Sequence, residues 1–374
     1  MPDALLVTSS FLPGHGGIES YLAELCTRLR PRLAVMAPAR RNGLALPDDL
    51  GYETIPGPGS MLLPRPPTAT AIAENAAALG VDRILFGTPW PLALLGPRLK
   101  RRGFRYAVIV HGAEMLVPGA LPAVSGKLAG ALAGAELLLP VSDYTASKIR
   151  GLLERKGYDV PPVERLRARV DVERFRPHFD TAAARRRLEI EPDRRVVLCF
   201  GRLVARKGVH RLIRAMPDVS GRVPEAVLVV AGTGPQERRL RRLAVRTGTR
   251  VVFAGRVAPE DAPGVYGMAD VFALPVGDRW FGLDVEGLGM VLLEAAACGV
   301  PCVTGRSGGT PEAVIDGETG FVVDARDGDE LAGAITRLLE DPETARKMGA
   351  EGRAHVEAEF SASLPPKPLL EWLA

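Results

Sequence analysis

The feature that most constrains the fold of this chain is a repeated alternation between short apolar runs and helix-like segments. Runs such as "LAVMAP" (33–38), "DRILFGT" (82–88) and "YAVIVHG" (106–112) are continuously apolar, and segments with helical periodicity follow several such runs. A strand that is apolar on both faces is typical of a parallel sheet covered by helices on both sides. The pattern therefore predicts an α/β protein with doubly wound parallel sheets.

The same alternation restarts at "RRVVLCFGRL" (194–203). A length of 374 residues exceeds one ordinary hydrophobic core and suits two domains. The polar segment 163–180 marks the join, which predicts one Rossmann-like domain over 1–170 and a second over 171–359. The remaining segment, 360–374, is expected to form a helix that crosses back onto the first domain. Two such sheets facing each other would present their strand-end loops across one cleft.

The composition is that of a globular protein, with 47% hydrophobic and 25% charged residues. The longest apolar runs are shorter than the roughly 20 residues that span a bilayer. No basic segment precedes the short apolar stretch near the N-terminus, so we expect a cytoplasmic protein. The formal net charge is only +4, and we expect no nucleic-acid partner. Arginine outnumbers lysine, which reflects either codon bias or a need for anionic partners.

Little in the chain is typical of a metal site. Its four cysteines are scattered, and no histidine lies at zinc-site spacing from them. We therefore expect the cysteines to be small buried hydrophobic side chains. The acids of "RDGDE" (326–330) are typical either of a metal site or of a turn followed by the first turn of a helix. The second interpretation is favoured, and we expect neither a metal nor a cofactor.

In open parallel sheets, ligands bind beyond the carboxyl ends of the strands, so function is sought in the loops there. In "GHGGIESY" (14–21), Gly16 and Gly17 leave backbone amides free at a helix start, which suits an anion. A tight strand-to-helix turn explains the pattern equally well. A dehydrogenase is disfavoured, because its fingerprint requires a third glycine where this chain has Glu19. His111 ends another strand and is a candidate catalytic residue, although a lone histidine is more often structural.

The second domain places cations in the equivalent loop. In "GRLVARKGVHRL" (201–212), Gly201 and Arg202 end a strand, and Lys207 precedes a helix that opens at Gly208. Cations around a helix N-terminus favour a phosphate site, whereas a solvated basic turn is the alternative. Because Arg202 directly follows an apolar run, we expect it to be partly shielded from solvent.

Two further loops follow strands of the second domain. Gly232 and Gly234, in "AGTGPQE", either form only a turn or give a ligand access to the backbone. Arg256 and Val257, in "GRVAPED", follow the next strand. They are placed to border a flat base.

The stretch "DVEGLGMVLLEAAACGVP" (284–301) combines carboxylates with a glycine-spaced helix start. Gly287 and Gly289 permit close backbone approach, and a helix is predicted over 288–298. Free amides at its start would face a diphosphate. They belong to residues 288–292, among them Leu288, Met290 and Val291.

Glu286 and Glu294 flank these amides. A carboxylate is a poor ligand for a phosphate but a good acceptor for sugar hydroxyls. The two side chains are therefore predicted to hold the hydroxylated parts of a nucleotide sugar. For Glu294, a buried carboxylate that caps a neighbouring backbone is the alternative.

Together these motifs resemble those of retaining glycosyltransferases of the GT-B fold, in the large family 4 that carries an E-x7-E motif. The resemblance covers nearly the whole chain and rests on "GGIESY", "HGAE", "GRLVARKG", "GTGP", "DVEGLGMVLLEAAACGVPCVTGRSGGTPEAV" and "TGFVV". The stretch "LDVEGLG" together with "GRLVARKG" is most similar to bacterial phosphatidylinositol mannoside mannosyltransferases that use GDP-mannose.

The resemblance implies roles for individual residues. Arg202 and Lys207 would bind the donor diphosphate, and Glu294 the ribose hydroxyls. Glu286 would hold hydroxyls of the donor sugar, and His111 would contact the same sugar. The two glycines of the first loop would lie beside the reacting centre. The implied catalytic set is His111, Arg202, Lys207 and Glu286.

The implied reaction is transfer of a hexose from a nucleoside diphosphate sugar to a hydroxyl, with retention of configuration and without a metal. Mannose from GDP-mannose is the expected donor, and the acceptor is either lipid-linked or a small molecule. A secondary-metabolite glycosyltransferase and a non-catalytic nucleotide-sugar binder stay as alternatives. A lipid-linked acceptor would bring the protein to the inner membrane face. The basic segment 98–106 is a candidate contact there, although a solvated helix end is the more ordinary explanation.

One departure from the resembled pattern lies at the end of the first domain. Arg167 and Arg169 stand where the family usually has a Pro–small–Gly turn. The position of Arg169 often prefers glycine for its backbone freedom. We hypothesise that the two arginines border an anionic acceptor.

Overall fold

The computed structural model describes residues 1–14, 16–41, 43–177 and 181–374. The chain divides into two compact units. The first consists of Met1–Ala168 with Pro365–Ala374, and the second of Arg169–Leu364.

The first unit is built on a parallel sheet in the order β5-β2-β1-β6-β7-β8. These strands are β1 Ala4–Val7, β2 Leu33–Pro38, β5 Thr54–Gly57, β6 Arg83–Phe86, β7 Arg105–Val110 and β8 Leu137–Pro140, with a small antiparallel pair of β3 Arg40–Arg41 and β4 Leu44–Ala45. Every residue of β1 and β2 is buried. This explains why these runs are continuously apolar.

Helices cover this sheet. They are α1 Gly17–Arg28, α2 Pro66–Ala78, α3 Gly96–Lys100, α4 Ala113–Ala120, α5 Pro122–Ala133, α6 Asp143–Arg155 and α15 Lys367–Leu373. Tyr106, Phe86 and Ile72 are among the largest fully buried side chains of the core. In α15, Trp372 donates from Nε1 to Glu136, 3.1 Å away.

The second unit repeats the plan with a parallel sheet in the order β11-β10-β9-β12-β13-β14. Its strands are β9 Arg195–Phe200, β10 Ala226–Ala231, β11 Val251–Gly255, β12 Val271–Leu274, β13 Cys302–Gly305 and β14 Gly320–Val323. Its helices are α7 Ala182–Arg187, α8 Val209–Arg222, α9 Glu237–Thr247, α10 Ala262–Gly267, α11 Met290–Ala297, α12 Thr310–Ala313, α13 Gly328–Glu340 and α14 Pro342–Glu359.

Both main sheets have the same topology. Numbering the strands of each sheet in chain order gives 3-2-1-4-5-6, the order of a doubly wound nucleotide-binding fold. The order reverses between β1 and β6 in the first unit and between β9 and β12 in the second. In such sheets the crevice for a ligand opens at this reversal, beyond the carboxyl ends of the strands. The loops after β9 and β12 are therefore the expected location of a ligand-binding site.

The predicted α/β fold with two doubly wound parallel sheets is confirmed, and the apolar run within 194–203 that opens the second domain forms β9. The helix predicted over 288–298 begins two residues later, at Met290. The four cysteines are free and buried, as expected. Asp327 accepts hydrogen bonds from the amides of Asp329 and Glu330. The acids of this segment therefore form a helix start, which confirms the favoured interpretation.

Candidate active site

A buried ion pair lies at the strand reversal of the second unit. Lys207 Nζ is 2.9 Å from Glu286 Oε2, and each residue is only 8% exposed. Lys207 ends the 3-10 turn Ala205–Lys207 after β9, and Glu286 belongs to the loop after β12. The two strand-end loops are thus joined by opposite charges that are shielded from bulk water.

A glycine allows these two loops to approach so closely. Gly208 has a φ of 73°, and a Cβ there would lie 1.9 Å from the carbonyl oxygen of Pro275. Any other residue would be strained and would collide with backbone. Gly208 therefore fixes the distance between the cation-bearing loop and the carboxylate-bearing loop.

A second cation reaches the same carboxylate. Arg206 lies 3.4 Å from Glu286 and 3.5 Å from Asp284. Burial by itself raises the pKa of Glu286, but the charges of Lys207 and Arg206 and their hydrogen bonds outweigh it, so this pKa lies below its usual value. Glu286 is therefore ionised at neutral pH.

The backbone of Glu286 is held on both sides. Its amide donates to Ser307 Oγ at 3.2 Å, and that hydroxyl donates to Asp278 Oδ1 at 2.6 Å. Its carbonyl accepts from the amide of Gly309 at 3.0 Å. The carboxylate consequently stands on a fixed main chain.

Helix α11 begins directly after this segment. Its N-cap, Gly289, has a φ of 91°, and the Leu292 amide already donates to the Gly289 carbonyl at 2.8 Å. Among the described residues, no hydrogen bond engages the amides of Leu288, Met290 and Val291. These amides form the positive end of the helix, which suits an anion.

Glu294 lies on α11 and is half-buried. The hydroxyl of Tyr266 donates to its Oε2 at 2.5 Å, and Tyr266 stacks on Phe200 with ring centroids 4.9 Å apart. Burial raises the pKa of Glu294. The partner is thus a phenol, so the alternative in which Glu294 caps a neighbouring backbone is wrong.

Comparison with known proteins decides the family. The chain is 40% identical over 357 residues to a GDP-mannose-dependent alpha-(1-6)-phosphatidylinositol monomannoside mannosyltransferase of Mycolicibacterium smegmatis, covering 93% of this chain and 92% of that protein. The family model for glycosyl transferases group 1 matches residues 180–355. The chain belongs to the glycosyl transferase group 1 family.

A second relative is equally similar. A GDP-mannose-dependent monoacylated alpha-(1-6)-phosphatidylinositol monomannoside mannosyltransferase of Corynebacterium glutamicum is 39% identical over 366 residues, which cover 96% of this glycosyl transferase and 94% of that protein. The resemblance inferred from the motifs is therefore confirmed.

Solved structures of lower identity share the fold. Anabaena HepE in complex with UDP has a TM-score of 0.83 at 21% identity, covering 100% of this chain and 99% of HepE. Sucrose-phosphate synthase of Thermosynechococcus elongatus has a TM-score of 0.80 at 23% identity, covering 99% and 98%. The GT-B fold expected for this glycosyl transferase is confirmed.

Arg202 does not match one expectation. It is exposed, and among the residues that the structure describes no ion pair or side-chain hydrogen bond engages it. The prediction that it is partly shielded is wrong, because the buried strand ends at Phe200 and the chain turns at Gly201, with a φ of 143°, before it reaches Arg202. In this glycosyl transferase the arginine is an exposed cation in the loop after β9.

Gly232 and Gly234 have a structural reason to be glycine. A Cβ at Gly232 would lie 2.0 Å from the Gly201 carbonyl oxygen, and one at Gly234 would lie 2.6 Å from that of Leu203. The two glycines let the loop after β10 pack on the loop after β9. Arg256 and Val257 follow β11 and are exposed and half-buried, respectively.

The first unit places His111 at the end of β7. Its Nε2 lies 3.0 Å from the carbonyl of Gly87, so Nε2 carries a proton and donates. Its ring packs edge-on against Tyr21 at 5.1 Å. Burial lowers the pKa of His111, which leaves a neutral ring whose Nδ1 is an acceptor. Glu114 accepts from the His111 and Gly112 amides and so caps α4.

The first loop holds a carboxylate at its helix start. A Cβ on Gly16 would lie 2.3 Å from Glu19 Oε2, whereas Gly17 has open space around it. Glu19 also pairs with Arg41 at 2.7 Å. An anion arriving at the amides of α1 would meet this carboxylate, which favours the tight-turn interpretation of Gly16.

Arg169 does not adopt a glycine-like conformation. Among the described non-glycine residues with positive φ are Glu189, Trp280 and Phe281, and Arg169 is absent from that group. Arg169 Nη1 donates to the carbonyl of Glu359 at 2.8 Å, at the end of α14. The concern that Arg169 occupies a backbone position needing glycine is therefore wrong for this chain.

The sequence analysis missed Arg206, Tyr266, Asp278, Asp284 and Ser307. Arg206 is the neighbour of Lys207 and had a visible signal, because it belongs to the same basic turn. Tyr266 and Asp278 had none, since each reaches the site only through the fold. Within the described ranges, no group of three or more His, Cys, Asp or Glu side chains is placed to hold a metal ion. In the same ranges, no helix is both long and apolar enough to cross a membrane.

Proposed function

We propose that this glycosyl transferase moves mannose from GDP-mannose to a hydroxyl of a phosphatidylinositol mannoside, with retention of configuration and without a metal. The donor and acceptor are supported by the two relatives of about 40% identity, whose names specify GDP-mannose and phosphatidylinositol monomannoside. The single structural observation that carries the proposal is the pair of Lys207 and Glu286 beside the N-terminus of α11.

The diphosphate would be held by cations and main-chain amides. Lys207 and Arg202 supply positive charge from the loop after β9, and the amides of Leu288, Met290 and Val291 supply the helix end. Negative charge grows on the leaving diphosphate in the transition state, and fixed donors that face it stabilise this charge. Removal of one such contact is expected to lower kcat by about a hundredfold.

The carboxylates would hold the sugars. Glu286 is ionised and accepts hydrogen bonds from hydroxyls of the donor sugar, next to the carbon that develops positive charge. Glu294 has one oxygen engaged by Tyr266, which leaves the other for a ribose hydroxyl. No side chain is proposed as a nucleophile, and the leaving phosphate takes the acceptor's proton on the same face of the sugar. The predicted contacts of His111 with the donor sugar and of Arg256 and Val257 with the base stay predictions.

The first experiment measures turnover of GDP-mannose and UDP-glucose with a phosphatidylinositol mannoside acceptor. Lys207→Ala and Glu286→Ala should each reduce turnover by about a hundredfold. Lys347→Ala and Glu351→Ala are the matched controls, since both side chains are exposed on α14, and they should behave like the wild type. Wild-type turnover in the Lys207 and Glu286 variants would refute the site.

Two measurements test the finer points of the reaction. The proton spectrum of the first product formed should show the same anomeric configuration as the donor sugar, and an inverted product would refute retention. Turnover should survive prior treatment with a strong chelator, and its loss with recovery on adding a divalent cation would refute metal independence.

A further inference from the structure

Two large aromatic side chains stand out from the surface of the second unit. Trp280 is 60% exposed and Phe281 is fully exposed, at 109%. Both have positive φ values, 50° and 55°, in a region that residues other than glycine rarely adopt. A strained backbone that exposes apolar rings persists only where the surrounding structure holds it.

The surrounding structure does hold it. The amide of Arg279 donates to the carbonyl of Asp284 at 3.1 Å, and the amide of Asp284 donates back at 3.2 Å. These two bonds close a short hairpin over 279–284, which we call the aromatic tip. Asp284 also pairs with Arg206 at 3.5 Å, so the tip is fastened to the loops of the donor site.

Cations cluster around His210 on α8, and one of them, Arg279, belongs to the tip and lies over the Trp280 ring, 5.1 Å from its centroid. His210 is close enough to four arginines for their charges to lower its pKa, together with burial, to about 4. These arginines come from the tip and from helices α8 and α9, and they are Arg211, Arg214, Arg239 and Arg279. The acids nearest in sequence are Asp278 and Asp284 beside Arg279, Asp218 on α8 and Glu237 on α9. Asp284 pairs with Arg279 at 3.5 Å, and Glu237 pairs with Arg241 at 2.9 Å.

The positive surface extends along α9. This helix buries Leu240, Leu243 and Ala244 and turns a row of exposed residues outward. The exposed residues are Arg238, Arg239, Arg241, Arg242, Val245 and Arg246. A helix that is cationic on its outer face, next to exposed aromatic rings, has the chemistry of an element that lies on an anionic membrane.

We propose that the aromatic tip and the arginines beside it form a surface that attaches the second unit to an anionic lipid membrane. Tryptophan and phenylalanine rings enter the boundary between headgroups and acyl chains, while arginines bind the lipid phosphates. The inference rests on the proposed function, because an acceptor carried by a lipid has to be reached at its membrane. Attachment at the tip would bring the loop of Glu286 to the headgroup level.

The basic segment 98–106 has cations but no exposed aromatic ring to enter a membrane. Its cations are exposed, but Phe104 is half-buried and Tyr106 is fully buried. Lys100 donates to the Gly134 carbonyl, and Arg105 pairs with Glu136. The segment is therefore a solvated helix end, and the aromatic tip is the better candidate for membrane contact.

The test is co-sedimentation with vesicles of phosphatidylcholine alone and of phosphatidylcholine mixed with phosphatidylinositol. The wild type should bind the anionic vesicles, and the double variant Trp280→Ser, Phe281→Ser should bind them about tenfold more weakly. Arg239→Ala should weaken binding to the anionic vesicles and make that binding less sensitive to salt. Met61→Ser is the matched control, because Met61 is an apolar side chain of the first unit that is 60% exposed, and it should bind like the wild type.

Tryptophan fluorescence gives a second readout. The chain has three tryptophans, of which Trp280 is exposed, Trp90 is half-buried and Trp372 is buried. Anionic vesicles should shift the emission of the wild type to shorter wavelength, and Trp280→Phe should abolish the shift. An unchanged shift in Trp280→Phe would overturn the proposal.

A turnover assay separates this proposal from the proposed function. The tip variant should lose turnover with acceptor in vesicles and keep it with acceptor dissolved in detergent. If it binds vesicles like the wild type, or if it only abolishes self-association of the chain, the membrane surface is refuted while the function stands. If the wild type uses no GDP-mannose in detergent, the function itself is refuted.

Discussion

Lys207 and Glu286 lie 2.9 Å apart at the point where the strand order of the second sheet reverses. Each charge is nearly sealed from water, so each depends on the other for its stability. Arg206 pairs with Glu286, at 3.4 Å, and with Asp284, at 3.5 Å. The three residues therefore respond unequally to substitution.

Glu286→Ala should destabilise the fold more than Lys207→Ala does. Without Glu286, the Lys207 ammonium stays buried with no carboxylate in contact, which is expected to cost about 3 kcal/mol. Without Lys207, the carboxylate keeps Arg206 as a partner. Urea unfolding of both variants and of the double variant measures the difference. Equal losses of stability in the two single variants would contradict the arrangement described.

The two site glutamates should give opposite pH dependences of stability. The pKa of Glu286 is lowered in the folded state, so its contribution is present above the unfolded pKa and is lost as the pH falls through the folded pKa. The pKa of Glu294 is raised, so its contribution is present below the unfolded pKa and is lost as the pH rises through the folded pKa.

This contrast is tested by measuring the free energy of unfolding from about pH 3 to about pH 7, the range in which glutamates titrate. Glu286→Gln should reduce the increase in unfolding free energy that the wild type shows as the pH rises. Glu294→Gln should reduce the decrease in unfolding free energy that the ionisation of Glu294 causes over the same pH range. If both substitutions change the slope in the same direction, the assignment of opposite shifts is wrong.

Tyr266→Phe should weaken donor binding while leaving the ring stack intact. The substitution removes the hydroxyl that donates to Glu294 and keeps the contact with Phe200. Loss of one such bond is expected to raise the KM for GDP-mannose by about fivefold, equivalent to about 1 kcal/mol. Tyr158→Phe, an exposed tyrosine of the first unit, serves as the control. A KM that stays at the wild-type value would mean that Glu294 needs no such orientation.

Gly232→Ala should destabilise the second unit by at least about 2 kcal/mol, because the new methyl group collides with backbone and the φ is unfavourable. The φ is 119°, and the nearest atom is the Gly201 carbonyl oxygen at 2.0 Å. Gly221→Ala is the matched control, since a Cβ there meets nothing within 4 Å and α8 gains helix propensity. It should be neutral or stabilising by about 0.5 kcal/mol. Similar thermal unfolding of both variants would refute the packing role of Gly232.

The sequence predicted the sheets well because buried parallel strands are apolar on both faces. It did not predict β5 or α2. Strand β5 lies at the sheet edge, is partly exposed and contains Pro56, so it lacks the continuous apolar character of the others. Helix α2 is rich in alanine and weakly amphipathic, and apart from Ile72 its buried side chains are small, such as Ala69, Ala73 and Ala76.

The candidate site was predictable as a set of loops and not as a set of contacts. Lys207 and Glu286 could be named because each lies in a loop that follows a strand, and Glu294 because it lies on the helix that begins just after Glu286. Their partners depend on how separate loops meet, and short-range patterns do not contain that information. Arg202 was named but its environment was predicted wrongly, because its position after a buried strand did not determine the direction of its side chain.

At several glycines of the second unit, neighbouring stretches of main chain approach so closely that no side chain fits between them. At Gly208, Gly232 and Gly308 a Cβ would lie within 2.0 Å of a carbonyl oxygen of a neighbouring loop, from Pro275, Gly201 and Glu286. Beneath the proposed donor site, these loops consequently pack main chain against main chain, with no side chain between them. Substrate preference can then change by exchanging the side chains that stand on these loops, while the shape of the packed main chain is inherited intact.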